Sequence, residues 1–370
     1  MRVYLDHNAT SPIRPGVLRA LENACGRVAN PTSVHASGRA VRNLIEDARE
    51  AVASWVGAEP SQVVFTSGGS EANHLAWRAF EKPDLRIATL GIEHSSVLGS
   101  VEAARMSGAK VTFLKVDRSG RLDPSPLAEN FDFVSIQHAN NETGVVHPLE
   151  GLSVGGASFH VDAVQTFGKC SIPWSEGRIA WLSLSGHKLG APQGAGALIA
   201  RHPSRLAPLW HGGTQEKGRR GGTENVLGIV GLHAALEEIR ERGDEEGARI
   251  RALRDRLEEG LQSDIPDCAV TAGGSPRMGH TSHMTFAGAD GQALLIAADL
   301  EGIDVSYGAA CASGSLEPSH VLLAMGFDEA SARCAIRFSL GWSTTSADIE
   351  KTLEVFPRIV KQVRTNRKAP

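Results

Sequence analysis

From about residue 40 to residue 200, apolar and polar positions follow two alternating patterns along the chain. Short runs rich in β-branched and aromatic residues predict strands over 63–65, 86–90, 111–116, 133–137, 158–161, 179–184 and 197–200. Between several of them, apolar residues at helical spacing predict helices over 41–55, 70–80 and 95–106. Gly57 is placed to end the first helix. The alternation predicts an α/β fold with a mainly parallel mixed sheet flanked by helices.

Beyond residue 200 the pattern changes and predicts a smaller α+β domain. The expected elements are two helices at about 225–241 and 245–262, strands near 269 and over 283–286, a helix over 292–301, a strand over 335–340 and a last helix over 347–364. The 370 residues exceed what one core usually holds. We therefore expect a large domain over 13–242 and a small domain over 243–370 that also includes 1–12.

Composition and charge narrow the class of protein. Hydrophobic residues make up 41% and charged residues 22%, which is ordinary for a soluble globular chain. The net charge of −4 gives no indication of a nucleic-acid or anionic membrane partner. The first residues lack the apolar core of a signal peptide, and no apolar run is long enough to span a membrane. The five cysteines are scattered without a C-x-x-C pair, so we expect a reducing, cytoplasmic location and no metal site.

Residues suited to chemistry follow directly after the predicted strands. In mainly parallel sheets, ligands bind outside the carboxyl ends of the strands. The positions of this kind are Gly69, His94, Asn141, Asp162 and Lys188. We expect them to meet at one edge of the sheet.

The turn at 66–71, Thr-Ser-Gly-Gly-Ser-Glu, follows a strand and opens a helix. Gly69 lets the backbone approach an anion, and the helix N-terminus supplies free N–H groups next to Ser70. Taken alone, the segment is more typical of an ordinary turn in which Ser70 caps the helix.

Lys188 follows the buried strand predicted at 179–184 and has Ser185 and His187 beside it. Most lysines are solvated, but a partly desolvated lysine has a lowered pKa, which favours imine formation and later use as a base. Ser185 and His187 are placed to bind a phosphate group. Lys188 is therefore the candidate anchor for a carbonyl-bearing cofactor.

Asp162, Gln165 and His94 are the candidates for holding a cofactor ring. A carboxylate at Asp162 would keep a pyridine nitrogen protonated, so that the ring can act as an electron sink. Gln165 is placed for the ring hydroxyl, and His94 for stacking and proton transfer. Each alone has a simpler interpretation, a solvated surface carboxylate or a helix-capping histidine. Together with Lys188 they indicate pyridoxal 5'-phosphate (PLP).

Arg337 is the candidate for binding a substrate carboxylate. Strand alternation puts Ile336, Phe338 and Leu340 on one face and Arg337 on the other. A guanidinium can hold a carboxylate through two parallel hydrogen bonds, and Asn141 could add another. The simpler interpretation is an exposed arginine on an edge strand.

Cys311 is the candidate nucleophile. Most free cysteines are small buried hydrophobic residues, but the neighbours of Cys311 at 308–314 are small and glycine-rich. A cysteine on a pliant loop can approach a substrate and then carry a group away.

Taken together, these segments resemble a cysteine desulfurase of the class V aminotransferase family. The resemblance implies the PLP-dependent transferase fold of type I, and the stretch 310–319 is similar to the NifS/IscS-like subgroup with a long cysteine loop. The matching segments are 4–10, 66–71, 93–94, 140–145, 160–165, 185–188, 221–223, 307–319 and 336–341.

The resemblance implies a role for each candidate residue. Lys188 would carry PLP, Cys311 would be the nucleophile, and His94 would be the third catalytic residue. Asn141 and Arg337 would bind the substrate carboxylate. The cofactor-binding residues would be Gly69, Ser70, His94, Asn141, Asp162, Gln165, Ser185, His187, Lys188 and Thr223.

The resemblance also implies a reaction and partners. L-cysteine would become L-alanine, with its sulfur left as a persulfide on Cys311 for an iron–sulfur scaffold protein or a tRNA-thiolation enzyme. Thr223 would reach the PLP of a second subunit, so a homodimer is expected.

Two other functional interpretations stay open at this point. Another PLP enzyme of the same fold, such as a selenocysteine lyase or an aminotransferase, would not need Cys311. A non-catalytic interaction or sulfur-relay protein that keeps the fold would bind no chromophore. A metalloenzyme is disfavoured, since no histidine pair has ligand spacing such as H-E-x-x-H.

Overall fold

The computed structural model describes residues 2–27, 29–308 and 317–366. Cys311 lies outside the described residues. The strands are β1 Val3–Tyr4, β2 Val63–Thr66, β3 Arg86–Leu90, β4 Lys110–Leu114, β5 Phe133–Gln137, β6 Ser158–Asp162, β7 Ile179–Ser185, β8 Gly196–Ala200, β9 Cys268–Val270, β10 Thr281–Phe286, β11 Ile303–Asp304 and β12 Ala335–Ser339. The helices are α1 Pro15–Cys25, α2 Ala36–Val56, α3 Gly69–Trp77, α4 Ser95–Met106, α5 Val226–Asp264, α6 Gly291–Leu300, α7 His320–Ala324, α8 Glu329–Ala332 and α9 Ser346–Asn366.

The main sheet has the strand order β2-β8-β7-β6-β5-β3-β4 within the described residues. Strands β3 to β7 pair in parallel, and β8 pairs antiparallel with both of its neighbours, β7 and β2. The predicted mainly parallel mixed sheet is therefore confirmed. Because β5, β6 and β7 are adjacent and parallel, their carboxyl ends lie side by side, which brings the segments that follow them together.

Helices cover both faces of this sheet. Trp181 and Leu182 are neighbours on β7 whose side chains point to opposite faces. Leu182 packs in a core with Val52 of α2, whereas Trp181 packs in another core with Leu75 of α3 and Val101 of α4. No helix in the described ranges has both the length and the apolar character needed to cross a lipid bilayer.

Helix α5 departs from the sequence-based expectation. Two helices were predicted on either side of residue 243, and this prediction is wrong, since a single helix of 39 residues runs from Val226 to Asp264. Gly243 and Gly247 have low helix propensity, but packing at both ends outweighs it. Leu236 is buried in the core of the main sheet, and Leu257 is buried in the core of the small sheet.

The small sheet has the order β12-β10-β9; α6 packs beside β12, and Phe356 of α9 contacts Phe286 and Phe338 of the sheet. The chain start joins this region, because β1 pairs in parallel with β11 and Asp6 forms a bridge with Ser339. This pairing supports our proposal that residues 1–12 belong to the small domain. The proposed boundary between residues 242 and 243 lies inside α5, where the helix passes from one core to the other.

Candidate active site

Asp162 ends β6 at the edge where the predicted site residues were expected to meet. Its side chain is buried, and its position is fixed by two donors. Asn73 of α3 donates from Nδ2 to Oδ2 at 2.8 Å, and the backbone N–H of Val164 donates to Oδ1 at 3.0 Å. A carboxylate has about four acceptor positions, so Asp162 can still accept from a ligand.

The turn before α3 forms a cradle with a free helix N-terminus. The residue that precedes the helix is Gly68, and no side chain of the described residues caps it. Ser70 is exposed, so the interpretation of Ser70 as the cap is wrong. A β-carbon at Gly69 would lie 2.6 Å from Cγ2 of Val164 and 3.5 Å from Cβ of Ser185. The Ser185 hydroxyl is buried without a hydrogen-bond partner among the described residues. Free donors and an unpaired hydroxyl thus lie together, which suits a phosphate group.

Lys188 lies in the turn that follows β7 and points toward the chain start. Its Nζ donates to the carbonyl oxygen of Asn8 at 2.5 Å and to that of Ala9 at 2.8 Å. Beside it, Nδ1 of His187 lies 3.1 Å from the hydroxyl of Thr10. Burial, with the charge of Lys188 as a second cause, lowers the pKa of His187 to about 4. His187 is therefore neutral near pH 7.

Asn8 connects Lys188 with the other predicted residues, and sequence reasoning assigned it no role. Gln165 donates from Nε2 to the Asn8 carbonyl at 3.2 Å, while Oε1 of Gln165 is buried without a partner in the described part of the chain. The Asn8 side chain donates to the carbonyl of Asn141 at 3.0 Å and to the hydroxyl of Thr281 at 2.9 Å. In the sequence, the one signal for a role of Asn8 was that it lies in segment 4–10, one of the segments that resemble the family.

Arg337 lies on the predicted face of its strand, but it is not exposed. Ile336 and Phe338 point into the core of the small sheet, and Arg337 itself is only 2% exposed. The interpretation of Arg337 as an exposed residue is therefore wrong, although β12 is an edge strand of the small sheet. Its Nη1 donates to the backbone carbonyl of Asn141 at 2.9 Å, and its Nη2 pairs with Asp6 at 2.6 Å. The ion pair with Asp6 was not predicted. Asn141 contributes its backbone to this contact.

His94 precedes α4 and also caps it. The backbone N–H of Ser96 donates to Nδ1 of His94 at 3.1 Å, which places the proton of the neutral ring on Nε2. The helix-capping interpretation is therefore right.

Glu93, the residue before His94, is fully buried and was not assigned a role from sequence. Its Oε1 accepts from the backbone N–H of Gln137 at 2.8 Å. Burial, and then the nearby charge of Asp162, raise the pKa of Glu93 well above its ordinary value. Its carboxyl is therefore expected to stay protonated behind the Asp162 carboxylate.

Comparison with known proteins decides the family. The class-V aminotransferase family model matches residues 3–352. An IscS-like cysteine desulfurase of Mycobacterium tuberculosis is 40% identical, over 98% of this chain and 97% of that protein. This chain belongs to the class-V aminotransferase family and, within it, to the cysteine desulfurases. Both the predicted family and the predicted fold are confirmed.

Solved structures agree with this assignment. The cysteine desulfurase chain resembles a NifS-like protein from Rickettsia africae with a TM-score of 0.88 and 35% identity, over 98% of this chain and all of that one. It also resembles a structure described as SspA in complex with cysteine, with a TM-score of 0.77 and 33% identity, over 93% of this chain and all of that one.

Of the predicted residues of this desulfurase that the structure describes, Thr223 is not brought to the site. Cys311 is outside the described ranges, and Thr223 is exposed on the segment before α5. That segment is tied to α3 through the ion pair of Arg220 with Glu71, at 2.9 Å. The flanks of Cys311 are close together, because a β-carbon on Gly308 would lie 3.9 Å from the carbonyl oxygen of Glu317.

Proposed function

We propose that this desulfurase uses PLP to convert L-cysteine to L-alanine and leaves the sulfur as a persulfide on Cys311. The observation that carries the proposal is the arrangement around Asn8, which contacts Lys188, Gln165 and Asn141, the last of which contacts Arg337. The solved relative in complex with cysteine supports the choice of substrate.

The residues present fit PLP. The free N-terminus of α3 and the unpaired hydroxyl of Ser185 would hold the phosphate, with Ser70 and His187 beside them. Asp162 would pair with the ring nitrogen, and the unpaired Oε1 of Gln165 would accept from the ring hydroxyl. When bound, PLP supplies an electrophilic carbonyl and an electron sink.

The side chains of Lys188, Cys311 and His94 would then each have a separate role in the reaction. Nζ of Lys188 takes the Cα proton of L-cysteine. Cys311, as thiolate, would attack the substrate sulfur, which keeps its hydrogen: the bond from that sulfur to Cβ breaks, and a sulfur–sulfur bond forms. Cβ then receives a proton, and Lys188 returns a proton to Cα, which gives L-alanine. His94, with its proton on Nε2, would stack on the cofactor ring and is the candidate proton donor.

Arg337 and Asn141 would orient the substrate carboxylate. Nε of Arg337 is buried and has no acceptor among the described residues, so a donor remains for a ligand. A guanidinium held on Asp6 and on the Asn141 carbonyl is pre-organised, which lowers the cost of binding.

The proposed partners are a sulfur acceptor and a second subunit. The persulfide on Cys311 would pass its outer sulfur to a thiol of an iron–sulfur scaffold protein or a tRNA-thiolation enzyme. Thr223, exposed on its own chain, would reach the PLP of the second subunit in a homodimer. The scattered cysteines without a C-x-x-C pair remain the ground for the predicted cytoplasmic location.

An absorbance spectrum and an L-alanine assay test this proposal. The purified protein should show a visible absorbance band, absent in Lys188→Ala, and should form L-alanine and a sulfane sulfur from L-cysteine. Cys311→Ala should keep the band and lose desulfuration. Full turnover in Cys311→Ala would favour a related PLP enzyme such as a selenocysteine lyase or an aminotransferase. A protein without the band would instead be a non-catalytic relative.

A further inference from the structure

The described chain resumes at Glu317, downstream of Cys311, and is anchored within two residues. Ser319 is buried, and its hydroxyl donates to Oε2 of Glu142 at 2.5 Å. The same hydroxyl accepts from the backbone N–H of Leu322 at 3.2 Å and so caps α7. One side chain therefore fixes both the start of α7 and its attachment to the large domain.

Glu142 lies in the turn that also carries Asn141. It is 1% exposed, and its backbone N–H donates to Oδ1 of Asn140 at 3.0 Å. Its second carboxyl oxygen, Oε1, is buried without a partner in the described ranges. A buried carboxylate that accepts from a hydroxyl makes one of the stronger hydrogen bonds in proteins, so Ser319 is held firmly beside the predicted substrate-binding turn.

A second contact ties the same flank to the opposite side of the site. Nε2 of His320 donates to the backbone carbonyl of Glu93 at 3.1 Å. Glu93 directly precedes His94, the residue predicted to stack on the cofactor ring. The chain segment next to Cys311 is therefore bound to the neighbours of both His94 and Asn141.

We propose that the hydrogen bond between Ser319 and Glu142 is a positioning contact for the sulfur-transfer step. It fixes the position of residues 317–319, which follow the segment that contains Cys311, relative to the turn that contains Asn141. This inference rests on the proposed function, because it assumes that Cys311 attacks the substrate sulfur. Such attack is sensitive to misplacement of about 1 Å, which can cost about a hundredfold in rate. Neither Ser319 nor Glu142 exchanges atoms with the substrate.

Two reactions of the holoenzyme separate this role from a structural one. Desulfuration of L-cysteine needs both Lys188 and Cys311. Exchange of the Cα hydrogen of L-alanine in deuterium oxide needs the proton transfer at Lys188 but no thiol. In Ser319→Ala and Glu142→Gln, we expect desulfuration to fall about tenfold or more while the exchange rate stays within about twofold. Ser319→Thr keeps the hydroxyl and should restore most of the desulfuration rate.

A matched control is available on the next helix. The hydroxyl of Ser331 donates to Oδ2 of Asp328 at 2.9 Å, and Asp328 caps α8. This pair has the same chemistry but is exposed and does not contact the predicted site residues of the described chain. Ser331→Ala should leave both reactions unchanged.

The outcomes distinguish this inference from the proposed function. If the unmodified protein makes no L-alanine from L-cysteine, the proposed function fails. If it does, but Ser319→Ala and Glu142→Gln desulfurate at the unmodified rate, only the positioning role fails. An equal fall of desulfuration and exchange in both variants would also overturn it, since that pattern indicates a general structural defect.

Discussion

At the scale of single residues, the ion pair between Arg337 and Asp6 joins the two ends of the chain. Arg337 has 2% of its side chain exposed and Asp6 has 20%. A buried guanidinium is stable only when its charge is compensated. Asp6 provides that charge and the Asn141 carbonyl provides a further acceptor, so the predicted substrate-binding arginine depends on the first residues of the chain.

Replacing Asp6 by Asn tests this dependence. The change keeps the size of the side chain but leaves a buried charge less compensated, so we expect the free energy of unfolding to fall by about 2–3 kcal/mol. Urea unfolding followed by circular dichroism measures it. Glu129→Gln is the control, since it removes the exposed ion pair with Arg86 and should have no measurable effect. Equal stability of Asp6→Asn and the unmodified protein would contradict the prediction.

At the scale of elements, α5 is the longest helix of the described chain and enters two hydrophobic cores. Leu232 packs under the main sheet, and Leu261 packs under the small sheet. Between these ends, the helix passes through Gly243 and Gly247 without a break. Because the helix is continuous, a change of helix propensity in its middle should alter the stability of the folded chain.

Two glycines of α5 give opposite predictions. A β-carbon at Gly247 would meet no atom of the described residues within 4 Å, so Gly247→Ala should raise the free energy of unfolding by up to about 1 kcal/mol. A β-carbon at Gly231 would lie 2.3 Å from Cδ of Pro192, in a rigid ring, so Gly231→Ala should destabilise the protein. Thermal and urea unfolding of both variants measure the difference. If the helix were broken near residue 243, Gly247→Ala would not raise the free energy of unfolding.

At the scale of the whole molecule, several histidines are buried in the neutral form, and both the main sheet and the small sheet contain them. Burial lowers their pKa in each case, and His160 illustrates the environment: it lies between the hydroxyls of Ser135 on β5 and Ser183 on β7, at 2.8 Å and 3.0 Å. The lowered values are about 3 for His7, His160 and His283 and about 4 for His138 and His147.

These histidines predict a loss of stability in acid. Below about pH 6.5 the unfolded chain binds protons that the folded chain does not, so the free energy of unfolding should fall by about 1.4 kcal/mol per pH unit for each histidine. Glu93 acts in the opposite direction, because its raised pKa lets the folded state keep a proton. Five histidines outweigh one carboxyl, so the urea midpoint should be lower at pH 5 than at pH 7. A midpoint that rises in acid would contradict this.

Much of the secondary structure could be predicted from sequence because its causes are local. Strands β3 and β5 and helix α4 have the predicted bounds, since each is specified by the spacing of apolar residues within one short segment. The candidates at strand ends were predictable for a similar reason. Once a mainly parallel sheet was expected, Asp162 and Lys188 had to follow neighbouring strands at one edge.

The contacts that complete the site were decided by tertiary structure. Asn8 is far from Gln165 and Asn141 in sequence, and Ser319 is far from Glu142, so no local spacing relates them. The sequence by itself determined the family, the main elements and the chemical types of the site residues, because side-chain chemistry and apolar period are properties of short segments. Only the folded chain decided which distant partners compensate each buried charge and that α5 stays unbroken, because both depend on packing between separate parts of the chain.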